Sequence, residues 1–262
     1  MAQDSSIIAL TDVVKTFEGG HRALDHLTLR VPRGAICGVV GLNGAGKSTT
    51  MRLLAGLEEA DSGDVEMLGA HAPFRDPGIK RRVGFVLDEP FYFDWLSARE
   101  YLEWIGNMQG LGAEESARRT AELLTILDLP GDDAKLIHAF STGMKKKVSI
   151  AAAIIHAPEL LILDEPLEAV DAVAARYIKD ALLSLSAKGA TIVLTSHVLD
   201  SVERFCTHLC IIHRGRALLE CRMDLLRQTV AGMIDTGSAR TLEDLFVKLV
   251  AEGGQSPRLS YV

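Results

Sequence analysis

Short apolar runs bounded by turn residues make up both ends of this chain, and a long stretch in the middle changes period. Ile7-Ile8-Ala9-Leu10 and Leu27-Thr28-Leu29-Arg30-Val31 predict strands, punctuated by Glu18-Gly19-Gly20 and Pro32-Arg33-Gly34. Ala35-Ile36-Cys37-Gly38-Val39-Val40 is apolar and β-branched, as a buried strand is. Residues 48–55 then predict a helix stopped by Gly56. Asp61-Ser62-Gly63-Asp64 reads as a turn, 64–68 as a short strand, and 82–87 as a strand ending at Asp88-Glu89-Pro90. From 97 to about 153 the apolar spacing is helical. Leu102, Ile105 and Gln109 share one face, Leu123, Leu124 and Leu127 another, and Leu129-Pro130-Gly131-Asp132-Asp133 breaks the run.

Strands resume at Leu160-Leu161-Ile162-Leu163. Four aliphatics in a row suit a strand buried on both faces, as in a parallel sheet. Residues 172–188 predict a helix closed by Gly189, and 191–197 a strand with His197 just past its end. Leu209-Cys210-Ile211-Ile212-His213 with Arg214-Gly215-Arg216 reads as a strand and turn. Beyond that the signal weakens to one amphipathic helix carrying Leu242, Leu245, Phe246 and Leu249, begun at Thr241 and stopped at Gly253-Gly254. Residues 255–262 are expected to be loose. The pattern as a whole is an α/β core with a helical insertion.

Composition narrows the class. The 262 residues are 48% hydrophobic and 24% charged, as in a folded soluble protein. A net charge of −7 disfavours general nucleic-acid binding, which wants a basic face. No apolar run reaches the roughly 18 residues of a membrane span, and Met1-Ala2-Gln3-Asp4 lacks the plan of a signal peptide, so a cytosolic protein is expected. Cys37, Cys206, Cys210 and Cys221 form no C-x-x-C pair and read as reduced thiols packed as small hydrophobes.

The candidate chemistry centres on Gly41-Leu42-Asn43-Gly44-Ala45-Gly46-Lys47-Ser48, which matches G-x-x-x-x-G-K-[ST] between a predicted strand and a predicted helix. Glycines let backbone N–H groups approach an anion, and the unpaired N–H groups of the first helical turn point at it. Lys47 adds a mobile positive charge for β- and γ-phosphates, and the Ser48 hydroxyl suits Mg²⁺. Gly41 to Thr49 are therefore the expected nucleotide-binding set. Asp164 and Glu165 close a buried strand at the carboxyl edge, where ligands bind in parallel α/β sheets. Asp164 is placed to hold Mg²⁺, and Glu165 to orient or deprotonate a water attacking the γ-phosphate. His197 ends another core strand and is a candidate to reach the same water.

In motif order the chain resembles the nucleotide-binding domain of ABC transporters, from about residue 7 to 216. Gly41 to Ser48 stands as the Walker A loop and 160–165 as the Walker B strand with its glutamate. Phe140-Ser141-Thr142-Gly143-Met144 stands at the LSGGQ signature, Glu168-Ala169-Val170-Asp171 at the D-loop, and His197 at the switch histidine. The resemblance implies that Phe17 stacks on adenine. It implies that Ser141, Gly143 and Asp171 join the nucleotide site, and that Asp88 replaces the Q-loop glutamine near the metal. Thr142, Met144 and Leu167 are further departures from the family pattern. Asp88-Glu89-Pro90, the signature and Thr195-Ser196-His197-Val198-Leu199 most resemble exporter-type ATPases whose permease is a separate chain, with import left open.

What the resemblance implies is a P-loop NTPase (RecA-like) core with an N-terminal antiparallel β-subdomain and an inserted α-helical subdomain. Residues 1–87 and 154–216 would form the core with the β-subdomain, 88–153 the helical subdomain, and 217–262 a C-terminal extension. The cofactors would be ATP and Mg²⁺. The partners would be a transmembrane permease and a second nucleotide-binding domain, in a homodimer or with a related chain, at the inner face of the cell membrane. No nucleic acid is expected. The competing readings are a soluble ABC ATPase acting on DNA or ribosomes, and a regulatory module that binds ATP without hydrolysing it. Phe91, Tyr92, Phe93 and Trp95 are either packing for the helical insertion or a docking groove for the permease.

Overall fold

A computed structural model describes residues 6–71, 76–88, 92–131, 135–226 and 241–252. The chain begins β1 (Ser6–Thr16), β2 (Arg22–Pro32), β3 (Ile36–Val40), α1 (Lys47–Leu54), β4 (Ser62–Met67), β5 (Ala70–His71), α2 (Pro77–Lys80) and β6 (Val83–Val86). Three helices follow: α3 (Ala98–Met108), α4 (Ala113–Ile126) and α5 (Thr142–Ile154). The rest is β7 (Leu160–Leu163), α6 (Ala172–Ala187), β8 (Thr191–Thr195), α7 (Leu199–Phe205), β9 (His208–His213), β10 (Arg216–Arg222) and α8 (Leu242–Glu252).

Two sheets organise these elements. One is antiparallel, in the order β2-β1-β4-β5; the other runs β10-β9-β3-β8-β7-β6. In the second sheet β9, β3, β8, β7 and β6 are parallel, and β10 joins antiparallel to β9. Alternation along each central strand divides the core in two. Cys37, Val39, Leu160 and Ile162 face the antiparallel sheet and α1, where they meet Leu10, Leu27, Leu29 and Met51. Ile36, Val40, Leu161 and Leu163 face the opposite way, against Leu102, Leu124, Val148 and Ile178 of the helices. Every residue of β7 is fully buried, which explains its unbroken aliphatic run.

The fold class expected from the sequence is therefore present, with differences in detail. The segment read as a turn at 61–64 already belongs to β4 from Ser62, because Val14 of β1 pairs with it. Leu68 lies past that strand at φ 56°. The sequence reading did not predict β5, α2 or α7, elements of two, four and seven residues. It also missed β10, which extends the main sheet through 216–222, residues assigned mostly to the extension. α3 opens on a capping box: Ser97 Oγ accepts from Glu100 N at 3.2 Å, and Glu100 Oε2 accepts from Ser97 N at 2.8 Å. α8 begins likewise with Thr241 and Asp244 bonded reciprocally, and Phe246 is buried. Among the described residues no helix is long and apolar enough to cross a membrane. Residues 255–262, Phe91, Glu89-Pro90 and Asp132-Asp133 lie outside the described residues, as do the side chains of Leu242 and Leu245.

Candidate functional site

β3 ends at Val40 in the middle of the parallel sheet, and the glycine loop turns from it into α1. Two glycines are sterically required. A Cβ on Gly41 would lie 2.4 Å from the Ile212 carbonyl oxygen, and one on Gly46 would lie 2.7 Å from that of Ala23. Gly46 also caps α1 at φ 108°, the left-handed region that glycine enters freely. Lys47 is the first residue of α1. Its ammonium folds back over the loop and donates to the carbonyls of Gly41 at 2.8 Å and Leu42 at 3.3 Å. The Thr50 hydroxyl donates to Gly46 O at 2.8 Å and secures the first turn. A cavity of about 180 Å³ over the loop is lined by Asn43, Gly44, Ala45, Gly46, Lys47, Ser48 and Thr49 with His21 and Ala23.

The carboxyl ends of β7 and β8 lie at the same edge. Asp164 is 2% exposed, and the Thr195 hydroxyl donates to its Oδ1 at 2.5 Å. The same hydroxyl accepts from Glu165 N at 2.8 Å. One buried threonine thus fixes both acidic residues. Glu165 sits at φ 44°, a left-handed conformation uncommon outside glycine, which is characteristic of functional turns. His197 Nδ1 donates to Glu165 Oε2 at 3.0 Å. A second cavity, about 430 Å³, joins Gly41, Leu42 and Asn43 of the loop to Ser196, His197 and Phe246.

The signature residues occupy the start of α5. Ser141 Oγ accepts from Met144 N at 3.2 Å and caps the helix, leaving its N–H dipole end exposed. Gly143 packs on the D-loop backbone, where a Cβ would lie 2.7 Å from Ala169 O. Asp171 caps α6 by accepting from Ala174 N at 2.9 Å, and Lys147 Nζ lies 3.6 Å from its other oxygen. The cap and then the lysine hold the Asp171 carboxyl below the usual range. Lys146, 7% exposed, donates to the main-chain oxygen of Asp164 at 3.2 Å.

The structure thus joins Asp164, Glu165 and His197 at the edge where the P-loop lies, and Asp88 is exposed just past β6, beside β7. Ser141, Gly143 and Asp171 line neither loop cavity. Phe17 is half-buried beneath the Lys15 ammonium, 5.5 Å from its ring centroid, and His21 and Ala23 line the loop cavity in its place. Sequence reasoning passed over Thr195, Lys146 and His21. Thr195 carried a signal, as a polar residue inside an aliphatic strand end; the other two look like ordinary surface residues.

The fold and this edge define a P-loop nucleotide hydrolase with a capped signature helix. The profile of one family, described as ABC transporter, matches residues 24–168. The bacitracin transport ATP-binding protein BcrA of Bacillus licheniformis is 37% identical over 225 residues, covering 86% of this chain and 72% of that protein. The Nod factor export ATP-binding protein I of Cupriavidus metallidurans is 37% identical over 221 residues, covering 82% and 71%. A solved structure of the ATP-binding subunit of an ABC transporter superposes with a TM-score of 0.83 at 30% identity, covering 93% of this chain and 99% of that one. The chain belongs to the ABC transporter family, as an ATP-binding and ATP-hydrolysing subunit.

Proposed function

We propose that this chain works as the motor of an exporter, paired head to tail with a second copy or a related chain and seated on a separate permease at the inner membrane face. The P-loop amides and Lys47 receive the β- and γ-phosphates, with Lys47 exchanging its two carbonyl bonds for phosphate oxygens. Ser48, Asp164 and Asp88 offer the hard oxygen donors that Mg²⁺ prefers. When bound, the cation neutralises charge on the transferring phosphoryl group. Glu165, steered by His197 and braced by Thr195, orients and deprotonates the attacking water. Phe17 and its neighbour His21 are assigned to the base end of the nucleotide.

The observation that carries the head-to-tail arrangement is the separation of the capped Ser141 helix end from the loop cavity of its own chain. An exposed N-terminal dipole beside a serine hydroxyl suits a γ-phosphate presented from across an interface. The domain division is 1–87 with 154–216, 88–153 and 217–262, with the core sheet carried on through β10 to Arg222. Trp95 is 66% exposed and Trp104 41%, and both pack against Phe93, Trp95 tilted at 5.4 Å and Trp104 edge-to-face at 4.9 Å between ring centroids. That ladder is assigned to the permease, whereas Tyr92 points inward, donating to Lys145 O at 2.9 Å. The export direction rests on likeness to the Nod factor export protein.

Ser141→Arg tests the arrangement. ATP binding to the separate chain stays near parental, and hydrolysis collapses, because a bulky cation fills the trans half of the site. Full hydrolysis by the variant overturns the head-to-tail site.

A further inference from the structure

α8 comes last among the described elements, far along the chain from the phosphate loop, yet it packs on the nucleotide edge. Phe246 is 8% exposed and walls the cavity of about 430 Å³ that also takes in Leu42 and Asn43 of the loop and Ser196, His197 and Leu199 past β8. α8 touches α7, the short helix that starts two residues after His197. α7 presses on β3: a Cβ on Gly38 would lie 2.5 Å from Val202 Cγ1. Phe246 and Val202 belong to one apolar cluster, which reaches Val40 at the end of β3. The extension, the switch-histidine segment and the strand that carries the phosphate loop are therefore layered on one another.

His197 needs support from outside its own segment. It sits on the link 196–198 between β8 and α7, and its side chain is 56% exposed. Among the described residues its ring makes one hydrogen bond, Nδ1 to Glu165 Oε2 at 3.0 Å. α7 opens at Val198 without a side-chain cap, so the link is not pinned there either. A ring tethered at one atom turns about its side-chain torsions unless packing restricts it. Phe246 is large, rigid and nearly buried on the cavity that His197 also lines. We propose that α8 is a working part of the hydrolytic site, with Phe246 as a positioning residue that, through the cavity wall and α7, keeps His197 turned to Glu165. This rests on the hydrolytic role proposed for Glu165 and His197.

The test is a substitution cycle on the full chain: Phe246→Ala, His197→Ala and the double variant. Hydrolysis is followed as a single turnover of radiolabelled ATP with Mg²⁺ and excess protein, which reads slow rates. Binding of a fluorescent ATP analogue is titrated separately. Phe246→Ala slows hydrolysis about tenfold and leaves binding within about threefold of the parent. With His197→Ala already present, it changes the rate less than about threefold, because the ring it positions is gone. Phe246→Leu, which keeps most of the wall, stays within about threefold of the parent, and Val247→Ala, at an exposed position of the same helix, is parental. A parental Phe246→Ala overturns the proposal, as does an equal effect in both backgrounds. So does a loss of binding as large as the loss of rate, which makes Phe246 a brace for the phosphate loop instead. Thermal melts establish that each variant folds, and if Phe246→Ala does not, Phe246→Val replaces it in the cycle. His197→Ala alone separates the two levels. If it hydrolyses at the parental rate, the histidine is misassigned and both readings fall; if it is slow and the two ratios are equal, only the Phe246 assignment falls.

Discussion

Glu165 adopts a left-handed backbone at φ 44°, a conformation that costs a non-glycine residue about 1–3 kcal/mol when it is held in place. The holding is done by Thr195, whose hydroxyl takes the Glu165 N–H and gives its own proton to Asp164. Strain here accompanies aim: the side chain leaves the sheet edge toward His197. Glu165→Gln keeps the shape and the threonine bond but removes the base. Hydrolysis falls by about 10²–10⁴-fold, while ATP binding is retained. Because ATP then persists, the variant accumulates as an ATP-bound dimer, read by size-exclusion chromatography with Mg²⁺ and ATP. A variant that stays monomeric and still hydrolyses at the parental rate refutes the role of the glutamate.

At the scale of elements, α5 meets the D-loop twice, through backbone at Gly143 and through the Lys147–Asp171 side-chain pair. Gly143 has a carbonyl, that of Ala169, where a side chain would begin. Gly143→Ala forces the signature turn away from the D-loop and destabilises the chain by about 1–3 kcal/mol, as overpacking does. Hydrolysis drops with it and ATP binding to the separate chain does not; thermal melts and nucleotide titration check both halves. How legible such elements are depends on where their signal comes from. β7 and β8 announce themselves because burial on both faces demands unbroken aliphatics. β10 alternates exposed and half-buried residues at the rim of the sheet, so its apolar face is thin, and α7 is too short for a helical period to accumulate. Within the site, Lys47 and Glu165 are readable because local spacing sets their task. Lys146 is not, since it stands between two identical lysines and its burial depends on how α5 lies against β7.

For the whole molecule, the exposed Trp95–Phe93–Trp104 ladder is the strongest handle on coupling. Its outer member contributes little to the fold, so Trp95→Ala leaves the chain folded and hydrolysing, but weakens co-purification with the permease and lowers transport. Unchanged capture and transport in that variant remove the ladder from the docking surface. A last consequence lies in the order of the main sheet. β3, which carries the phosphate loop, is flanked by β8 and β9, both from the far end of the chain. The loop is moulded by that late arrival: Gly41 fits beneath Ile212 O, and Gly215 N donates to Ala45 O at 2.9 Å. During synthesis the phosphate-binding residues leave the ribosome early, yet they have no wall to set their shape until β9 has been made and inserted. A growing chain therefore carries its nucleotide motif long before it is able to hold a nucleotide, and an unfinished copy does not sequester ATP.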